Sequence, residues 1–125
     1  GEVQSYIRAK VVVTWMSDDK TKVTALKPID DTDYIITYAD ETNAATNWKK
    51  GSDGYWYYKL PVNVGKETEE LIESCSLKDG ITAPDGYYLS VEIVASSIQS
   101  TPTRVVTEQW DSGVNGVNGS TLIIK

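Results

Sequence analysis

A mostly β fold is what this 125-residue sequence predicts: two antiparallel sheets packed as a β-sandwich of jelly-roll or Ig-like kind, with one short helix near residues 102–110. Three observations carry that expectation. Polarity alternates with a period of two over most of the chain. Turn dipeptides such as Asp53-Gly54, Asp79-Gly80 and Asp85-Gly86 separate the alternating runs. The 40% hydrophobic content is enough for a core at this length without disulfide staples, so a single sandwich domain over residues 1–125 is expected.

The elements follow in order. From Val3 to Trp15 the odd positions Ile7, Ala9, Val11 and Val13 are apolar, while the even positions Gln4, Tyr6, Arg8 and Lys10 are largely polar. This pattern predicts a long strand with one wet face. Val23 to Ile29 reads as a short strand closed by Pro28, and the β-branched and aromatic run Tyr34 to Tyr38 as another. Ala39 to Asn47 is a polar connection. The loop Gly51 to Gly54 suits a tight hairpin. Beyond it Trp56, Tyr58, Leu60, Val62 and Val64 share one parity, Tyr55 and Tyr57 take the other, and Pro61 marks an edge or a bend. Residues 66–78 fit helix or strand, and a short strand is the preferred reading. Tyr87 to Ala95 alternates clearly. Thr101 followed by Pro102 reads as an N-cap with proline in the first helical position, and Val106 and Trp110 at i, i+4 give the helix one apolar face. The Gly/Asn-rich stretch 113–120 reads as a turn or connector, and Leu122 to Ile124 as a last strand or docking tail.

Composition excludes several kinds of chemistry. Twelve basic against eighteen acidic residues leave a net charge of −6, which repels a phosphate backbone, so no nucleic-acid partner is expected. With no histidine and one cysteine, His-based triads, Cys–His dyads, HExxH hydrolysis and Cys/His zinc sites are out of reach. Cys75 reads as a small buried apolar side chain, since Glu73, Ser74 and Ser76 offer nothing to activate a thiol. No apolar run is long enough for a membrane helix. The acidic groups Asp30, Asp31, Asp33 and Glu67, Glu69, Glu70, Glu73 read as solvated faces, and neither Asp18-Asp19 nor Asp30-Asp31-Thr32-Asp33 has EF-hand spacing. No cofactor or metal is expected.

Aromatic rings are the remaining candidates. There is no phenylalanine, so Tyr and Trp must supply the aromatic core volume. Parity assigns Trp56 and Tyr58 to that core and leaves Trp48, Tyr55 and Tyr57 facing outward, where flat rings can stack on sugars or anchor a protein.

The run from Trp48 to Val62, followed by Gly65-Lys66-Glu67-Thr68 and Leu71, resembles Gram-positive exported proteins released by the alternate, SipW-type signal peptidase, a broad group with TasA and camelysin-like members. Ile7-Arg8-Ala9-Lys10-Val11 with Trp15 resembles the same group. So does Tyr87 to Ala95 with Ser96-Ser97-Ile98-Gln99-Ser100 and Trp110, which extends the likeness over residues 3–111. The resemblance implies a β-sandwich, export and a surface or biofilm-matrix role, and brings no catalytic residue onto this chain. Protease activity attributed to camelysin-like relatives is at odds with the lack of histidine. The expectation is therefore a non-enzymatic, extracellular or cell-surface structural protein whose signal peptide lies outside the sequence. Its first strand, with Val3, Tyr6, Arg8, Lys10 and Val12, is the candidate for assembly with further copies or other surface proteins by strand exchange. Paired at home, that strand is guarded by outward Arg8 and Lys10. The alternative is a carbohydrate-binding or adhesive module that uses Trp48, Tyr55 and Tyr57 on a glycan.

Overall fold

The computed structural model describes residues 4–20, 27–43, 45–63 and 65–125. Of these, 52% are strand and 6% helix, the mostly β, antiparallel class with one short helix that the alternation predicts. In chain order the elements are β1 (Gln4–Ser17), β2 (Tyr34–Tyr38), β3 (Trp48–Lys50), β4 (Trp56–Asn63), β5 (Ile72–Leu77), β6 (Tyr87–Gln99), α1 (Thr103–Gln109), β7 (Val114–Asn118) and β8 (Thr121–Ile124). They form a four-stranded sheet in the order β3-β4-β1-β6 and two two-stranded sheets, β2-β5 and β7-β8. The chain divides into two compact units: β1 as far as Lys10 with Ala39–Leu71 and Val94–Lys125, and Val11–Tyr38 with Ile72–Ile93.

In the first unit, β3 and β4 make the expected hairpin, with Trp48 opposite Tyr58 and Lys50 opposite Trp56. Gly54 takes a φ of 90° in its loop, a conformation that favours glycine. β4 then pairs with β1, Ala9 opposite Trp56 and Arg8 opposite Tyr57, and Pro61 lies inside the register break between Ser5 and Ile7. Both β1 and β4 are flanked by neighbours, and pleating sends their side chains alternately to two faces. Both faces are covered. Ala9, Trp48 and Trp56 are buried on one, where Trp48 meets Tyr58 edge-on at 5.1 Å. On the other, Tyr6 and Tyr57 pack with Val106 and Trp110 from α1 and its end, Val114 of β7 and Leu122 of β8.

That double cover corrects the parity reading. Tyr6 and Tyr57, expected on wet faces, are fully buried, because the α1, β7 and β8 segment closes over a face that alternation alone marks as open. The assembly reading of β1 changes with it. Tyr6 and Arg8 point into this packed face, Lys10 is exposed and Val12 half-buried, while Val3 lies outside the described residues. Release of β1 would break ladders on both of its sides. The Gly/Asn-rich stretch is likewise no connector: Val114–Asn118 is a strand paired with Thr121–Ile124, and Gly119-Ser120 makes the turn between them, with Gly119 at a φ of 63°. Burial of Val114 and Leu122 supplies what its local propensity lacks. Helix α1 starts one residue later than expected, with Pro102 at the N-cap position. Val106 and Trp110 are both buried, as their spacing predicts.

In the second unit, β5 is a strand, with Cys75 opposite Ile36 and Leu77 opposite Tyr34. Cys75 is exposed, contrary to the buried reading, since Glu73 to Ser76 lie exposed on a strand with one partner among the described residues. The strand expected over Val23–Ile29 falls mostly outside the described residues, and Lys27 to Ile29 is not strand. Val64 also lies outside them.

Candidate functional site

The densest constellation of polar and aromatic side chains in the first unit is built on the β3–β4 loop. Asp53 turns back on its own loop: its Oδ1 accepts the Tyr55 N–H at 3.1 Å, a local bond of the kind that favours Asp in turns. This aims Oδ2 across the strand. There it accepts the Tyr57 hydroxyl at 2.5 Å and the Ser112 hydroxyl, from the turn after α1, at 2.9 Å. Gly51 and Gly113 admit the Tyr57 ring, since a Cβ on either would press into it. Arg8, opposite Tyr57 on β1, donates from Nη1 to the tyrosine oxygen at 3.4 Å. Its guanidinium lies 4.1 Å from the centre of the Tyr55 ring and 4.9 Å from that of Trp110, within cation–π range. The Arg8 Nε is buried with no hydrogen-bond partner among the described residues.

The electrostatics describe an anchor. Burial pushes the Asp53 carboxyl up, but hydrogen bonds from Tyr57, the Tyr55 N–H and Ser112, with the Arg8 charge, outweigh it and hold the group below its ordinary value of 3.8. Burial and the bond to Asp53 push the Tyr57 hydroxyl above 10.0. A carboxyl that serves as a general acid needs the opposite displacement, toward neutrality. Because the folded form holds Asp53 below its unfolded value, its contribution is present above 3.8 and is lost as pH falls through the folded value. Asp53→Asn is therefore expected to flatten the acid limb of a urea-midpoint against pH profile, with the neutral-pH fold retained; an unchanged acid limb refutes the assignment.

The rings singled out from the sequence meet different fates. Trp48 is 4% exposed, and its indole N–H donates to the Glu69 carbonyl at 2.8 Å. Tyr57 is 0% exposed. Tyr55 is half-buried and carries Arg8 on its face, with the Lys10 ammonium 5.8 Å from its centre. Trp48, Tyr55 and Tyr57 thus form no open stacking platform, because two serve the core and the third is already paired with a cation. The acidic loop also works locally: Asp33 accepts the Ile29 N–H at 2.8 Å and Asp31 pairs with Lys78 at 3.2 Å. No group of three or more metal-ligating side chains gathers among the described residues.

Two features escaped the sequence reading. In the second unit an open cleft of about 430 Å³ lies over Trp15, lined by Lys27, Ile29, Asp33, Ile81 and Pro84. No periodicity marks it, because its walls are irregular loops. The other is the outer side of β6, which ends the four-stranded sheet among the described residues. Residues Glu92 to Ser97 are exposed without interruption, with Ile93 at 48% and Val94 at 47%. Natural edges are guarded by lysine, proline or brevity. The opposite edge, β3, is short and displays exposed Lys49 and Lys50, whereas the 13 residues of β6 hold no lysine, arginine or proline and one charge, Glu92. That deficit was readable in the sequence; that this strand is an edge was not.

Compared with protein-family models, with curated proteins and with solved structures, the chain matches none.

Proposed function

We propose that this chain is a non-enzymatic structural component of a cell surface or extracellular matrix and that it works by strand-edge association. One observation carries the reading: among the described residues a long β strand ends the sheet with Glu92 to Ser97 exposed, Ile93 and Val94 among them, and without lysine, arginine or proline, on the same sheet as a short edge defended by two lysines. Unpaired N–H and C=O groups in such a row are a template for main-chain pairing with another strand. The Asp53 network supports the same reading, because its carboxylate is saturated by internal donors and held ionised. Export and a matrix setting follow from the likeness to SipW-dependent TasA-type proteins in the aromatic hairpin and the Ile98-Gln99 region.

Sedimentation velocity and electron microscopy across a protein and salt series test the association. Oligomers that grow with concentration are expected; a strictly monomeric chain at every condition overturns the reading. Fractionation of producing cells, probed with antibody, tests the setting: the protein is expected in the surface and medium fractions, and confinement to the cytosol refutes it.

A further inference from the structure

Positive charge is gathered on one part of this acidic chain. β1 as far as Lys10, β3 and β4 carry Arg8, Lys10, Lys49, Lys50 and Lys59 and no Asp or Glu, in a chain whose net charge is −6. Two of these cations share a site in the first unit. Arg8 and Lys10 lie two residues apart on β1, and alternation sends both side chains to one face. There they meet the same ring: the Arg8 guanidinium stands 4.1 Å and the Lys10 ammonium 5.8 Å from the centre of Tyr55. Neither has an ion-pair partner among the described residues. Asp53, whose charge reaches Arg8, spends its oxygens on the Tyr57 and Ser112 hydroxyls and the Tyr55 N–H instead. Among the described residues the guanidinium makes one hydrogen bond, from Nη1 to the Tyr57 oxygen at a long 3.4 Å, and its buried Nε makes none. Two like charges set against one ring, with unused donors and no direct counter-ion, make a place for an anion from outside the chain.

We propose that Arg8 and Lys10 bind the carboxylate of a sugar acid, the charged unit of a uronate-type polysaccharide. The inference takes its cell-surface or matrix setting from the reading above and adds a ligand to it, through a contact separate from the β6 edge. The Nη groups of Arg8 offer planar N–H donors that match carboxylate oxygens, and the Lys10 ammonium adds a mobile donor beside them. Tyr55 holds both cations by cation–π attraction, so less of the ordering cost falls on the binding step. A carboxylate fits better than a phosphate, because one negative charge meets less repulsion from a chain of net charge −6 than a group of about −1.5 to −2 does. A sugar fits better than a peptide. Tyr55 is half-buried, and a sugar acid brings hydroxyls and an apolar C–H face to the remaining surface of the ring, whereas a glutamate side chain brings neither. Recognition is by charge with one ring in support, so it does not need the three-ring platform that burial of Trp48 and Tyr57 rules out.

Titration calorimetry of the full chain with polygalacturonate, neutral dextran and polyglutamate tests the site. Polygalacturonate is expected to bind, and to bind more weakly as salt rises; dextran is expected not to bind, and polyglutamate to bind far more weakly than polygalacturonate. Free galacturonate is expected to compete with the polymer, and galactose is not. Lys10 is exposed, so Lys10→Gln keeps the fold and is expected to weaken polygalacturonate about tenfold or more, the change that loss of a hydrogen bond to a charged group brings. Lys49→Gln removes the same charge from the β3 edge and is expected to leave binding within about twofold. Equal losses for these two variants, competition by galactose, or polyglutamate bound as well as polygalacturonate overturn the sugar-acid site, because binding then follows net charge or ring contact alone. A folded wild-type chain that binds no polygalacturonate overturns it too and leaves the association reading standing, since sedimentation decides that one. A monomer at every condition that still binds polygalacturonate, with Lys10→Gln defective, removes the association reading and supports the site.

Discussion

Tyr57→Ala is expected to cost about 3–5 kcal/mol of folding stability, the loss typical when a large buried aromatic is truncated. The ring is fully buried and meets Trp110 edge-on at 5.8 Å. Its hydroxyl holds the Asp53 carboxylate at 2.5 Å, so truncation removes packing and leaves a part-buried anion short of a donor. Tyr57→Phe separates these effects. It keeps the ring and loses one charge-assisted hydrogen bond, about 1.5–3 kcal/mol. Urea denaturation of the two variants reads the difference directly. A loss below about 0.5 kcal/mol for Tyr57→Ala, the usual range of a surface substitution, removes Tyr57 from the centre of the core.

Gly113→Ala is expected to destabilise by about 1–3 kcal/mol, the usual penalty for overpacking. A Cβ at this position would stand 2.5 Å from Cε2 and Cζ of Tyr57 and closer still to its hydroxyl. Neither ring nor backbone can yield cheaply, because the ring is held by Asp53 on one side and Trp110 on another. Gly116→Ala is the control. Its Cβ would meet Ile123 Cδ1 at an ordinary 3.9 Å, so its change is expected within about 0.5 kcal/mol. The penalty at Gly113 depends on the ring, so the Tyr57→Ala, Gly113→Ala double variant is expected to be no less stable than Tyr57→Ala alone. Additive losses would mean that Gly113 is required for some reason other than the approach of Tyr57.

Where the sequence was legible, the signal was local. The Gly51 to Gly54 hairpin followed from residues that supply positive φ, and the short helix from Val106 and Trp110 at one helical spacing. β5 was legible as a strand from parity shared by Leu71, Cys75 and Leu77. Misreadings arose where a distant segment covers a face. Tyr57 looked like an outward ring because alternation identifies two faces of a strand and cannot say how many are covered, and Trp48 looked outward because the register across the β3–β4 loop, which sets it opposite Tyr58 on the core face, is not written in either strand alone. The Gly/Asn stretch looked like a connector because the three glycines Gly113, Gly116 and Gly119 lower local strand propensity, yet Val114 and Leu122 bury against residues more than fifty positions earlier in the chain. Cys75 looked buried from residue type alone.

The alternation of polarity and the turn glycines settled that this chain folds as antiparallel β structure with one helix, because backbone geometry and turn chemistry act over a few residues. Composition did the same for the catalytic classes that need histidine or paired cysteines, since missing side chains cannot be supplied by folding. Long-range pairing decided the rest. It made β1 interior and β6 an edge, enclosed Tyr57 between Gly51 and Gly113, and brought Ser112 to Asp53. Strand order and cover are set by the burial of apolar surface between segments far apart in the chain, and no local pattern encodes which segments will meet.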